Sequence, residues 1–223
     1  MQQFGQSRAL SQSVLSANRL LMKTYLLLGS TLLFSGIIAF WAMAANVPPL
    51  NPIIVIIGYF GLLFLTSALR KSSLGLVAIF ALTGFMGLTL GPILDLYLKT
   101  YVNGGQLITT ALGGTGIIFF VLSFYAIMTK KDFSYLGGFL AVAITGAFLL
   151  GIANIFLHMP VLNLLVSGAF ILLSSGLILF QTSEIVRGGE TSYIMATVTL
   201  YVSLFNIFVN LLSILGMFSG RDR

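Results

Sequence analysis

GGETSYIMATVTLYVSLFNIFVNLLSILG, residues 188–216, is the stretch on which the fold turns. It opens with a short polar piece, and an apolar run then starts near residue 193 and continues to about 217. About 20 apolar residues in a helix cover the roughly 30 Å of hydrocarbon in a bilayer. The polar residues inside the run are not scattered. Thr199, Ser203, Asn206, Asn210 and Ser213 recur at steps of 4, 3, 4 and 3, which places them on one helical face. Amides are unfavourable against lipid, so such a face turns toward other helices.

The rest of the chain agrees. It is 58% hydrophobic and 7% charged, with a mean hydropathy of +1.06. Soluble domains carry roughly 25% charged residues, and 223 residues cannot hide this much apolar surface from water. Cysteine is absent, so neither disulfides nor thiolate chemistry are available. Seven apolar segments stand near 24–44, 52–69, 74–94, 107–128, 136–157, 161–181 and 193–217. The first follows 23 mostly polar residues and is too long for the apolar region of a signal peptide. The expected architecture is an all-α bundle of seven transmembrane helices over 24–217. A polar tail, 1–23, precedes it and a short tail, 218–223, follows.

Charge orients the bundle. Arg8, Arg19, Lys23, Arg70, Lys71, Lys130, Lys131 and Arg187 fall on the side of the N-terminus, whereas Lys99, Arg221 and Arg223 fall on the other. Basic residues collect on the cytoplasmic face, which predicts the N-terminus in and the C-terminus out. The net charge of +6 therefore reports topology, not nucleic-acid binding. The loops are too short for a soluble domain, and LHMPVL forces the fifth and sixth helices into a tight hairpin. The 1–23 tail, with Leu10, Val14, Ala17 and Leu21 at helical spacing, is either an interfacial segment or a handle that a cytoplasmic ATPase could grip.

Small and polar residues mark packing faces. Gly84, Gly87 and Gly91 lie in the third helix, the last two forming G-x-x-x-G, and Gly113, Gly114 and Gly116 lie in the fourth. LGGTG is no nucleotide loop, because it lacks the P-loop lysine and the G-x-G-x-x-G spacing. In the sixth helix Ser167, Ser174 and Gln181 recur every seven residues. In the fifth, Ala143, Ala147, Gly151, Asn154 and His158 form a third small or polar face. The three faces predict one polar seam shared by the fifth, sixth and seventh helices. That seam is either interhelical hydrogen bonding or a hydrated ion path.

Nothing in the sequence calls for catalysis, a metal or a cofactor. A single histidine excludes H-E-x-x-H and multi-histidine zinc sites. No G-x-S-G surrounds a serine, and paired intramembrane carboxylates are absent. Asp95 follows Pro92 at the outer end of the third helix, where an acid is ordinarily just solvated.

Several stretches carry a resemblance: TGFMGLTLGPILDLYL, ALGGTGIIFF, TKKDFSYLGG, GIANIFLHMP, LLSSGLILFQTS and the long 188–216 segment. Together they resemble the Bax inhibitor-1 family, in particular its bacterial YccA-type branch, over nearly the whole chain. The resemblance implies a seven-helix bundle in the bacterial inner membrane with a cytoplasmic N-terminus. It implies a non-enzymatic modulator of FtsH, the ATP-dependent membrane protease. Such proteins bind the protease and its accessory proteins as slow substrates and restrain its attack on others. Other bacterial members are pH-sensitive calcium leak channels, in which two Asp residues on the sixth and seventh helices share a proton. Here the matching positions read Phe180-Gln181 and Leu200-Tyr201-Val202-Ser203. Gln181 and Ser203 can hydrogen-bond but cannot titrate near neutral pH, so a cation leak, as the alternative function, would lack this latch. A structural or stress-protective membrane protein is a third reading. Asn154, Ser174, Thr199, Asn206 and Asn210 are expected to support the seam around Gln181 and Ser203. In the turn between them, Gly188-Gly189 reverses the chain, Glu190 enters the first turn of the last helix, and Glu184 pairs with Arg187.

Overall fold

The computed structural model describes residues 2–157 and 159–220, with side chains from residue 15 onward. His158, Arg221 and Arg223, and the side chains of Arg8, Leu10 and Val14, lie outside the described residues. Seven helices follow one another: α1 (Gln2–Ala44), α2 (Pro52–Leu69), α3 (Leu74–Thr100), α4 (Gly104–Thr129), α5 (Leu136–Leu157), α6 (Pro160–Arg187) and α7 (Tyr193–Phe218). Each of the seven holds a window long and apolar enough to cross a bilayer.

Local chemistry sets the helix ends. Pro52 and Pro160 occupy first turns, where a missing N–H costs nothing. Asn51 caps α2 by accepting the Ile53 N–H at 2.9 Å, and Ser192 caps α7 by accepting that of Met195 at 3.3 Å. Gly188, at φ 79°, ends α6 in the left-handed conformation that glycine adopts without a Cβ clash.

Hydropathy places most boundaries closely and falls short at three. α3 continues through Asp95 and Lys99 to Thr100, α6 continues six residues beyond Gln181, and α1 begins at Gln2 within the expected tail. A charged side chain at the membrane surface ends the apolar window but leaves the intrahelical hydrogen bonds intact, so the helix runs on past it.

α7 is the axis of the bundle. It touches α1, α2, α3, α4 and α6, and buries Ile194, Val198, Leu200, Tyr201, Leu204 and Ile207 in the main core. α1 and α3 cross closely at the G-x-x-x-G. A Cβ on Gly87 would collide with the Ser35 carbonyl, and one on Gly91 would lie 2.6 Å from Ala42 Cβ. In lipid this close approach supplies the dispersion contact that holds helices together. The glycines of α4 behave differently from expectation. Gly113 and Gly116 face open space, and Gly114 meets only the Leu211 side chain.

The backbone of α5 approaches only α6. The expected three-helix seam is therefore not the arrangement found: α5 lies outside, and α1, α3 and α4 take the places around α7. Periodicity identifies which face of a helix is small or polar. It carries no information about which neighbour covers that face.

Candidate functional site

Tyr201 is the centre of the buried polar structure. It is 1% exposed. Its hydroxyl lies 2.5 Å from Ser35 Oγ on α1 and 3.3 Å from the Thr83 carbonyl on α3. A carbonyl can only accept, so Tyr201 donates to Thr83 and accepts from Ser35. One turn of reasoning from sequence missed this residue, because a tyrosine in an apolar helix reads as core. The available signal was its hydroxyl, which needs a partner once buried.

Nearer the N-terminal end of the bundle, Thr197 Oγ1 donates to the Tyr193 carbonyl at 2.7 Å and to the Thr24 carbonyl at 3.2 Å. These contacts tie the start of α7 to α1. Lys23 adds its ammonium 5.8 Å from the Tyr193 ring centroid.

The expected seam residues are mostly inside but bond differently from expectation. Gln181 is 5% exposed and Ser203 fully buried. Ser203 Oγ donates to the Thr199 carbonyl at 2.8 Å, Thr199 Oγ1 to that of Met195 at 3.1 Å, and Asn210 Nδ2 to that of Asn206 at 2.8 Å. Each is a bond to the backbone carbonyl four residues back, so these three side chains of the α7 stripe are satisfied along their own helix. Ser174 is buried on α6. Asn154 is far from α7; its Oδ1 accepts the Met159 N–H at 3.2 Å and fastens the α5–α6 turn.

Gln181 points to the chain reversal. Its amide donates to Glu190 Oε2 at 3.5 Å, while Glu190 Oε1 accepts the N–H groups of Thr191 and Ser192, each at 2.7 Å. Glu190 thus precedes the cap of α7 instead of entering its first turn. The carboxylate satisfies backbone donors ahead of the helix. The expected Glu184–Arg187 pair is likewise replaced. Arg187 Nη2 lies 2.7 Å from Asp132 Oδ2 in the α4–α5 loop. Ser183 Oγ donates to the Lys131 carbonyl at 2.8 Å and accepts the Phe133 N–H at 3.3 Å. The α4–α5 loop is therefore clasped to the last turns of α6. Asp132's carboxyl is held below the usual carboxylate range, first by hydrogen bonds from Ser134 and then by the Arg187 charge.

Among the described residues no group of three or more His, Cys, Asp and Glu is placed to hold a metal. The family model described as "Inhibitor of apoptosis-promoting Bax1" matches residues 17–220. The chain belongs to the Bax inhibitor-1 family. Among its relatives in that family is the "Modulator of FtsH protease YccA" of Escherichia coli K12, 50% identical over 210 residues that cover 94% of each chain. An Escherichia coli O6:H1 relative of the same identity and coverage is named "Inner membrane protein YccA". An uncharacterized protein of Pseudomonas aeruginosa is 50% identical over 206 residues, 91% of this chain and 90% of its own. Within this Bax inhibitor-1 chain Gln181 and Ser203 bond to Glu190 and Thr199 and not to each other.

Proposed function

We propose that the protein is a non-enzymatic, multi-pass modulator of an FtsH-type ATP-dependent protease in the bacterial inner membrane, acting as its inhibitor and slow substrate. The observation that carries this reading is the 50% identity, over 94% of both chains, to a relative named for that role. The geometry fits it. A helix of 43 residues rises about 65 Å, more than twice the hydrocarbon thickness, so the start of α1 projects beyond the membrane. With the N-terminus inside, as the basic residues imply, that projection meets a cytoplasmic ATPase. The other described turns on that side are held at both ends, and the α4–α5 turn is clasped to α6 by Ser183 and Arg187. A polytopic core built on close crossings such as Gly91 against α1 resists extraction, which makes a substrate slow.

The test is a tagged full-length chain purified from inner membranes under mild detergent. The FtsH-type protease and its accessory proteins are expected to come with it, and degradation of a second membrane substrate is expected to slow as the chain is added to purified protease. A chain that neither retains the protease nor slows it refutes the proposal.

A further inference from the structure

The end of the bundle away from the start of α1 contains a cavity of about 740 Å³, within the range of small-molecule sites. It extends from the Val47–Pro52 turn to Phe205, half-way along α7. Its wall is almost wholly apolar, with Ile93 and Leu96 of α3 facing Ile152 and Ile155 of α5. The backbones of α2 and α5 do not touch, so the cavity opens sideways between them into the bilayer. Deeper in that gap the Phe60 and Phe148 rings meet edge to face at 5.7 Å and close it.

The rim carries one pair of opposite charges. Lys99 Nζ lies 2.6 Å from Asp95 Oδ2 and donates to Asn46 Oδ1 at 3.2 Å. Both side chains remain partly open, at 62% and 27% exposure. α3 has 27 residues and rises about 40 Å, which is the hydrocarbon plus the headgroup regions. Its last turns, with Asp95 and Lys99, therefore stand at headgroup level. Exposed Trp41, near the end of α1, marks the same interface.

We propose that this cavity binds a zwitterionic aminophospholipid of the phosphatidylethanolamine type, with an acyl chain in the groove between α2 and α5 and its headgroup across Lys99 and Asp95. The phosphate takes the Lys99 ammonium. The primary ammonium of the headgroup donates to the Asp95 carboxylate, and the Asn46 amide oxygen is a further acceptor. An anionic phospholipid would place its charge against Asp95 without return. A quaternary ammonium headgroup has no N–H to donate. A partner's transmembrane helix is disfavoured because Phe60 and Phe148 stop the groove part-way, while a spanning helix needs about 30 Å of continuous surface.

The experiment is native mass spectrometry of the full-length protein in micelles that contain equal amounts of phosphatidylethanolamine, phosphatidylglycerol and phosphatidylcholine with identical chains. One phosphatidylethanolamine is expected to be retained several-fold over the other two. The double variant Asp95→Asn/Lys99→Gln changes only rim side chains and is expected to lose the preference with its melting temperature little changed. Ile152→Trp fills the groove and is expected to lose the bound lipid of every class. Should it fail to fold, Gly151→Leu serves, since a Cβ there meets only ordinary contacts with Val166 and Phe170, at 3.7 and 4.0 Å. Equal retention of the three lipids, a preference for phosphatidylglycerol, or a preference unchanged in the rim variant overturns the proposal.

Discussion

Tyr201 and Ser35, 166 positions apart in sequence, share a hydrogen bond of 2.5 Å at the centre of the bundle. It joins α7 to α1 at the level where the Tyr201 hydroxyl also meets the Thr83 carbonyl of α3. Three helices are thus registered by one phenolic oxygen, in a region where lipid offers no hydrophobic force to do so.

Tyr201→Phe keeps the ring and removes the oxygen, so it deletes the bonds to both Ser35 and Thr83. It is expected to destabilise the protein by about 1–3 kcal/mol, the ordinary net worth of two buried hydrogen bonds. Ser35→Ala removes the first of these bonds from the other side. In thermal melts in detergent the double variant is expected to be little worse than Tyr201→Phe alone, because the only bond Ser35→Ala removes here is already lost with the phenol oxygen. Fully additive losses would show that the two side chains act separately.

The α4–α5 and α6–α7 loops make a pH prediction with a definite sign. Asp132 titrates below the usual carboxylate range in the folded state, so its contribution to loop order is present above about pH 3.9. That contribution is lost as the pH falls through the lower, folded value. The Ser134 amide proton, which bonds to Asp132 Oδ1 at 2.9 Å, reports this in an NMR titration. Its midpoint is expected below the ordinary value. In Arg187→Gln it is expected to rise only part of the way, since the Ser134 bonds are the larger cause.

Truncation of the start of α1 addresses the proposed handle. Deleting residues 2–17 leaves the crossing of α1 with α3 and α7, which begins further along the helix at Thr24 and Leu28. The lifetime of the protein in cells that contain the protease is expected to lengthen, with the melting temperature nearly unchanged. An unchanged lifetime would place the point of engagement elsewhere.

Gln181 and Ser203 predict an absence and a way to reverse it. With no titratable group at either position, calcium entry into dye-loaded liposomes carrying the parent chain is expected to show no steep step between about pH 6 and 8 from this source. Gln181→Asp puts a carboxyl beside Glu190, whose Oε2 lies 3.5 Å from the present amide. Two neighbouring carboxyls raise the pKa of the pair, so this single variant is expected to bind a shared proton. Adding Ser203→Asp introduces a further buried acid on α7, against which α6 packs. Infrared carboxyl bands followed against pH in each variant, beside the flux assay, separate protonation from conduction.

Much of this molecule was legible before any coordinates. Hydropathy located seven spans because lipid imposes one strong rule on every segment that crosses it. The Gly87-Gly91 spacing announced a close helix crossing, and α3 makes it with α1. What escaped was pairing. The stripe from Thr199 to Asn210 looked like a set of interhelical donors, yet Thr199, Ser203 and Asn210 each donate to the backbone carbonyl four residues back in their own helix. Arg187 had Glu184 within reach by spacing, and chose Asp132, 55 residues away, because the chain reversal carries α6 over the α4–α5 loop. The small face of α5 looked as if it belonged to α7, whereas its Gly151 lines the groove beside α6. Each miss concerns which neighbour a correctly located face meets, and that depends on topology rather than on local pattern.

The position of α7 also has a consequence in time. The helix that touches five of the other six is the seventh of seven to leave the ribosome. Until it arrives, Ser35 has no phenol to donate to, the Thr24 carbonyl lacks its threonine partner, and α1, α3 and α4 surround a vacant centre. Six inserted helices can already make the α1–α3, α2–α3, α4–α6 and α5–α6 contacts, but the main core closes only when α7 enters. A chain that stops before residue 193 lacks Ile194, Val198, Leu200, Tyr201, Leu204 and Ile207, half of the buried residues of that core.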